Sequence, residues 1–585
     1  MLRWSWGRWP DVLIDFGREL YVPWQLVSGK VLYTDIESFN GPLSPYWNAL
    51  WFRVFGTSLL TLVISNLLIL TCLVFLLHRL LSEICDQFAT TMACLTFVTL
   101  FAFGQLGDVG NYNFVCPYSH ELTHGLALSF AAIACLSVYH RSGGFLAVAG
   151  AGSALGLVLL TKAEVFLAAA LALLVGFGLT IWLERPLRHR LLALLATFAG
   201  SAAVPPLLSF GLLGLAMPAE QALRRTLGTW PWVLHTDPFT LRFYRHWMGT
   251  LDVRESVRTI LVWTGLYAAV FLPAAALSLV FRKPGWLRGW ASTGVSTVLL
   301  AVLVSMSHAH LVNLRNAWRP LPLVVFLLGV ASFLMFIKQR QDPQASRRLT
   351  LRLSLIVLAF ALLGKMGLYA RVQNVGFGLA MPAALLVVVA LIDWIPSGLT
   401  NRGGYGNLFR TAGVVVVMFT IVDHLHTTAF YFSHKTYRVS AGDDAFLADE
   451  QGPLVNRVLG EIVRRVGPNE TLLVLPHGVM LNYLTRRVNP TPYIVVDPLM
   501  LASYGEERIL ASFNAHAPDD IVLVAIDERE HGVRLFGHDF GQRIYSWIRE
   551  HYREVRLFGS SPLQEGTWGI LLLQRSDHHS ALTSP

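Results

Sequence analysis

The feature that most constrains this chain is its succession of long apolar runs. They lie near 57–77, 89–106, 122–138, 145–160, 164–183, 191–215, 258–281, 291–307, 320–337, 351–368, 374–394 and 410–430. A helix needs roughly 17–25 such residues to span about 30 Å of hydrocarbon. A helix also satisfies its own backbone polar groups there, which an irregular segment cannot do. The spacing therefore predicts a polytopic α-helical membrane protein with about twelve transmembrane helices. Read as one helix, 145–183 would run about 58 Å at 1.5 Å per residue, nearly twice the membrane. A break is expected around Thr161-Lys162-Ala163-Glu164.

Charge agrees. Only 14% of residues are charged and 54% are hydrophobic, where a soluble chain carries about a quarter charged. The net charge of +9 is confined to short turns between apolar runs, so it makes no nucleic-acid surface. With the N-terminal segment outside, alternate turns hold Arg79; Arg141; Arg185, Arg188 and Arg190; Arg282, Lys283 and Arg288; Lys338, Arg340, Arg347 and Arg348; and Arg402 with Arg410. Those turns are cytoplasmic by the positive-inside rule. An even helix count then returns the C-terminus to the outside. The five Cys lie in the first quarter without CxxC spacing, against a zinc site or disulfide framework. The start, MLRWSWGRWPD, has no apolar core of a cleavable signal.

Ahead of the first run, residues 15–48 read DFGRELYVPWQLVSGKVLYTDIESFNGPLSPYWN. Acids, aromatics, Pro and Gly alternate, as in a folded loop on a membrane surface rather than a solvated tail. Asp15 opens the stretch. Glu19 lies four residues on and shares its face if the segment is helical; Arg18 stands beside Glu19. Asp15 is equally placed to cap a helix.

This stretch resembles the first external loop of GT-C membrane glycosyltransferases. The carriers are an Asp opening an amphipathic segment, G-x-x-LY-x-D, and GPLSPY. The nearest groups are the lipid-phosphate-sugar-dependent protein O-mannosyltransferases and aminoarabinose transferases. In that family the early acid of this loop is the catalytic signature, which Asp15 matches. Many members carry Asp-Glu in tandem; here Phe16 follows Asp15, so the second acid must come from elsewhere. Members usually begin with a first transmembrane helix ahead of this loop, so the resemblance implies either a start upstream of Met1 or an N-terminal tail that crosses without its own anchor.

The other external loops supply further candidates. DVGNYNFVCPYSHE (108–121) offers Asn111, Tyr112, Asn113, His120 and Glu121 to sugar hydroxyls. His120 and His124 suit a helix start equally well. Metal ligation by His120, Glu121 and His124 is conceivable, but i and i+1 point apart on a helix. No cofactor is called for; a divalent metal stays an unsupported option. Lys162 and Glu164 sit between apolar runs, where a midplane charge costs about 2.5–3.5 kcal/mol. They are expected at an external helix end, contacting donor phosphate or sugar, or pairing at the interface. Arg315, Arg319 and Arg371 fall on external loops, and guanidinium forks suit phosphate oxygens; snorkelling to headgroups is the plainer alternative.

After Tyr431 the composition turns soluble. A helical stripe over Leu454–Val466, a TLLVL strand at 471–475, helix 503–516, strand 521–526, helix 540–551 and strand 569–574 suggest a small C-terminal α/β domain. The expected organisation is an external catalytic loop region (1–56), a transmembrane module (57–432) and an external α/β domain (443–577). The resemblance implies sugar transfer from a polyprenyl-phosphate donor to a lipid, glycan or protein acceptor at the external membrane face, with inversion. Asp15 would be the base and Glu19 its support, in a bacterial or archaeal plasma membrane. A transporter or flippase of lipid-linked sugars is the rival. It would place charges near the midplane or show repeated halves.

Overall fold

The computed structural model describes the chain except residues 10–12, 14–15, 108–111, 236–240, 281–293, 302, 304–313 and 578–585. Among the described residues, eight helical segments are long and apolar enough to cross a membrane: Leu59–Leu81, His120–Ser142, Ala163–Glu184, Arg188–Gly214, Arg242–Val280, Leu314–Gln339, Gly376–Asn401 and Gly406–His434. This corrects the expected twelve. Two predicted spans are apolar but shorter, Gln87–Ala102 and Phe145–Leu159. Pro343–Leu363 is a full helix, but Arg347, Arg348 and Arg352 occupy its first half. Most of 291–307 lies outside the described residues.

The helix ends follow local chemistry. Ser58 opens Leu59–Leu81 by accepting from the Thr61 N–H at 3.2 Å, and Asp86 opens Gln87–Thr96 through the Ala89 N–H at 2.8 Å. Each satisfies a donor the helix itself leaves unpaired. The run 145–184 is broken as expected: one helix ends at Leu159 and the next starts at Ala163.

That break receives the first loop. The Gly41 N–H donates to Thr161 O at 2.9 Å and the Leu43 N–H to Leu160 O at 3.1 Å. A Cβ on Gly41 would sit 2.2 Å from Leu160 O, so the GPL turn needs its glycine for this approach. Loop and break therefore lock together.

The C-terminal region begins with a hairpin of β1 (Tyr437–Val439) and β2 (Phe446–Ala448). A four-stranded mixed sheet follows, built from β3 (Leu472–Leu475), β4 (Asp520–Val524), β5 (Tyr552–Gly559) and β6 (Gly569–Arg575), in the order β3-β4-β6-β5. β3 and β4 are parallel; the other pairs are antiparallel. The predicted helix 503–516 is two helices, Pro498–Tyr504 and Glu506–Ala515, hinged at Gly505.

This region packs on the first loop. Phe16 meets Phe446 edge to face at 5.8 Å, and the Asn489 N–H donates to Tyr21 Oη at 2.9 Å. Asp444 accepts from the Leu59 N–H (2.8 Å), Tyr483 Oη (2.8 Å) and Arg486 (2.7 Å). One carboxylate thus ties the C-terminal region to the start of a membrane helix. The tightest approach is at Gly17, where a Cβ would lie 2.3 Å from the Met480 backbone nitrogen. Backbone cannot swing aside as a side chain can. Gly17→Ala is expected to cost about 1–3 kcal/mol, the usual range for overpacking. A lowered Tm in detergent checks this; an unchanged Tm would mean the two parts separate easily.

Candidate active site

Among the described residues, the loop, the membrane helices and the C-terminal domain line a cleft of mixed charged, aromatic and apolar side chains, with about 80 Å³ of interior space. Its membrane-side wall carries Arg18, Glu19 and Glu121. The order of the chain explains this wall. Phe16–Val27 is helical and buries Phe16, Leu20 and Tyr21, which places Arg18 and Glu19 at the cleft. His120 and Glu121 start the helix His120–Ser142, with both side chains buried.

Glu19 is 3.8 Å from Arg18 and 3.5 Å from His120 Nδ1. His120 is held from both sides: Asn48 Nδ2 lies 2.5 Å from its Nδ1 and Asn66 Nδ2 lies 3.0 Å from its Nε2. His124 Nδ1 meets Ser44 Oγ at 2.9 Å. Both His120 ring nitrogens are thus engaged by amides, while His124 uses only Nδ1 and its buried Nε2 has no hydrogen-bond partner among the described residues. Among the described residues no group of three or more His, Cys, Asp or Glu is placed to hold a metal ion. Glu121 is 4% exposed, and its Oε2 has no hydrogen-bond partner among the described residues. A buried carboxylate oxygen left so is costly in a folded protein.

The cations divide. Lys162 donates to Ser119 Oγ at 3.0 Å. Burial and then the charge of Lys365 pull it below the ordinary lysine range. Glu164 faces away from this wall and pairs with Lys365 at 2.5 Å. Arg319 lies 3.5 Å over the Tyr369 ring and donates to Leu368 O. Arg371 is buried over Trp247 at 3.8 Å and donates to Trp247 O and Tyr369 O. Arg315 is exposed. The three arginines do not line the cleft. Two of them form an aromatic-stacked group around Tyr369.

The remaining predicted residues fall in three ways. Asp15 and Asn111 lie outside the described residues. Tyr112 is buried against Tyr118, with ring centroids 3.6 Å apart. Asn113 turns its loop, its Oδ1 accepting from the Val115 and Cys116 N–H groups and its Nδ2 donating to Gly104 O. Sequence reasoning missed Lys365, and it missed the far wall of the cleft, where Glu37, His477, Asp497 and Tyr504 sit. Charge at a helix end would have flagged Lys365; nothing in the linear sequence joins Glu37 to Tyr504.

Glu19 carries a pH signature. Burial, then the charge of Glu121, push its carboxyl from 4.5 up to about 8. Between these values the folded chain keeps a proton that the unfolded chain releases, so stability falls as pH rises. Below about pH 4 both forms are protonated, and above about pH 8 both are ionised, so the slope vanishes at either end. Glu19→Gln removes this titration. Its Tm relative to wild type should climb from about pH 5 to 8 and then level. A difference constant with pH would contradict the assignment.

No family model matches the chain, and no curated protein matches it. Among solved structures it is similar to ArnT from Cupriavidus metallidurans bound to undecaprenyl phosphate. The identity is 13%, covering 97% of this chain and 95% of that chain, with a TM-score of 0.41. It is also similar to the archaeal oligosaccharyltransferase AglB from Archaeoglobus fulgidus, in complex with an inhibitory peptide and a dolichol-phosphate. There the identity is 13%, covering 99% of this chain and 72% of that chain, with a TM-score of 0.44.

Proposed function

We propose that this protein is a GT-C-type membrane glycosyltransferase that moves a sugar from a polyprenyl-phosphate donor to an acceptor at the external face of a bacterial or archaeal plasma membrane. The observation that supports it best is Glu121. It is a buried carboxylate with an unpartnered oxygen, aimed into a cleft shared with Arg18 and Glu19. The cleft lies at the ends of membrane helices, where a lipid carrier's phosphate arrives.

In this reading an acceptor hydroxyl oxygen attacks the anomeric carbon. The bond from that carbon to the phosphate oxygen breaks, and the lipid phosphate leaves as a monoester. The hydroxyl proton passes to Asp15, the base, which immediately precedes the helix Phe16–Val27. Because phosphate leaves readily, one carboxylate suffices for proton transfer. Arg18 and Lys162 supply positive charge for the departing phosphate, and Glu19 and Glu121 hold sugar hydroxyls. His120 fixes Glu19. Arg319 and Arg371, with Arg315 at the surface, form a second cationic face for the donor headgroup, next to the Glu164–Lys365 pair. Tyr112 and Asn113 shape the loop above, and Asn111 is a further candidate for sugar hydroxyls.

A flippase is separated by its product. In proteoliposomes containing a polyprenyl-phosphate sugar, the transferase generates free polyprenyl phosphate in step with glycosylated product. Intact donor crossing the bilayer with no free polyprenyl phosphate would replace this reading with the transport one.

A further inference from the structure

The cleft has a second wall that the donor chemistry does not use. It comes from the C-terminal domain and begins with two chain ends brought together by the sheet. β3 and β4 are parallel, with Leu475 opposite Leu523. Just past the end of β3 comes His477; just past the end of β4 comes Glu528. Their side chains meet there, His477 Nε2 lying 3.0 Å from Glu528 Oε1. Crevices beyond the carboxyl ends of parallel strands are where sheets of this kind present ligand-binding groups. His531 supports the pair from behind, 3.6 Å from the other Glu528 oxygen. It is itself stacked on Phe243 of the short helix Arg242–Met248, with centroids 4.4 Å apart and planes 13° from parallel. A His–carboxylate pair braced in this way holds the imidazole in one orientation. His477 lines the same cleft as Glu19 and Glu121.

Beside it runs an aromatic strip. Tyr504 is 5.5 Å from Tyr493 on one side and 5.5 Å from Phe39 of the first loop on the other. All three line the cleft. Tyr504 is locked by its hydroxyl, which donates to Glu37 Oε2 at 3.2 Å. Glu37 is in turn paired with Arg225 at 2.8 Å. Flat apolar faces alternating with carboxylates and an imidazole match one kind of molecule. A sugar ring presents C–H groups on its faces and hydroxyls around its edge. A lipid chain would need an apolar trough without acids, and an extended peptide would need open backbone partners along the wall.

Resting on the reading that this cleft is the transfer site, we propose that the C-terminal domain builds its acceptor half. The acceptor is a saccharide, stacked on Tyr504 and Phe39, with the buried Tyr493 backing Tyr504, and hydrogen-bonded at its hydroxyls by His477. His477 and Tyr504 are acceptor-binding residues, separate from the proton-accepting carboxylate. The proposal makes the domain part of the active site rather than an appendage, and it accounts for its tight docking on the first loop at Gly17.

The test is saturation-transfer NMR on the full chain in detergent, with maltotriose, cellotriose and chitotriose as probes and donor binding measured in the same preparations. At least one triose is expected to bind wild type. Its half-saturation should rise tenfold or more in Tyr504→Leu and in His477→Gln, while donor affinity stays unchanged in both and so certifies their folding. Absence of triose binding to wild type overturns the proposal. So does equal triose binding by both variants, or displacement of the triose by a Ser/Thr-containing peptide at lower concentration. If the donor is still turned over in any of those cases, only the acceptor assignment falls. If no polyprenyl-phosphate sugar is consumed either, the transferase reading falls with it.

Discussion

Asp15→Asn is expected to lower sugar transfer by about 10²–10⁴-fold, the usual worth of general acid–base catalysis. The amide keeps the size of the carboxylate, and Asn is as good a helix-capping residue as Asp, so folding and donor binding should change little. Glu19→Gln should cost less, because Glu19, fixed between Arg18 and His120, holds sugar hydroxyls and does not take the proton. A purely structural Asp15 gives the reverse, with Asp15→Asn within a few-fold of wild type. Initial rates at equal amounts of folded protein separate the two. A silent Asp15→Asn would shift the catalytic role to Glu121.

The second large effect concerns Glu164 and Lys365. Their 2.5 Å contact is two-thirds or more hidden, with 24% and 33% of the side chains exposed. Removing one partner of a buried pair costs about 3–5 kcal/mol, because the other is left charged without compensation. Partial exposure brings the expected loss for Lys365→Met to about 2 kcal/mol. Glu164→Gln in the same chain should recover most of it, since neither side chain is then charged. Thermal unfolding in micelles of both single variants and the double variant gives the coupling. Additive losses would mean that Lys365 acts elsewhere, and would return Glu164 to the donor's contacts.

How much of this was legible in the sequence depends on how local the signal is. The break at 160–162 follows from length alone, and the GPL turn that docks there announces itself by Gly41 and Pro42. Glu19, His120 and Glu121 belong to two loops, and each loop is conspicuous by its polar residues among apolar runs. Helix count was less legible. Run length alone does not distinguish a full span from the shorter Phe145–Leu159 or the arginine-bearing Pro343–Leu363. β5 escaped notice because it is a sheet edge carrying the charged, exposed residues Arg553, Glu554 and Arg556, the last paired with Glu461. Edge strands carry such charges to discourage further pairing, and charges erase the alternation that marks a strand. Arg319 and Arg371 read as candidate phosphate ligands from their place on loops; that they also stack on Tyr369 and Trp247 is announced by no linear pattern. The His477–Glu528 pair depends on which strands lie side by side, which only the fold decides.

The central claim is that this chain breaks a sugar–phosphate bond using a carboxylate of its first loop. Phosphorus NMR on purified protein in detergent tests it most directly, because micelles have no two sides and transport leaves no trace. Polyprenyl-phosphate sugars are phosphodiesters, and the released carrier is a monoester with a resolved signal. With a competent donor and acceptor, the diester signal should decay and the monoester signal rise for wild type, while both stay still for Asp15→Asn. A static diester with wild type across a panel of donors and acceptors, or equal decay in the two proteins, would contradict the claim.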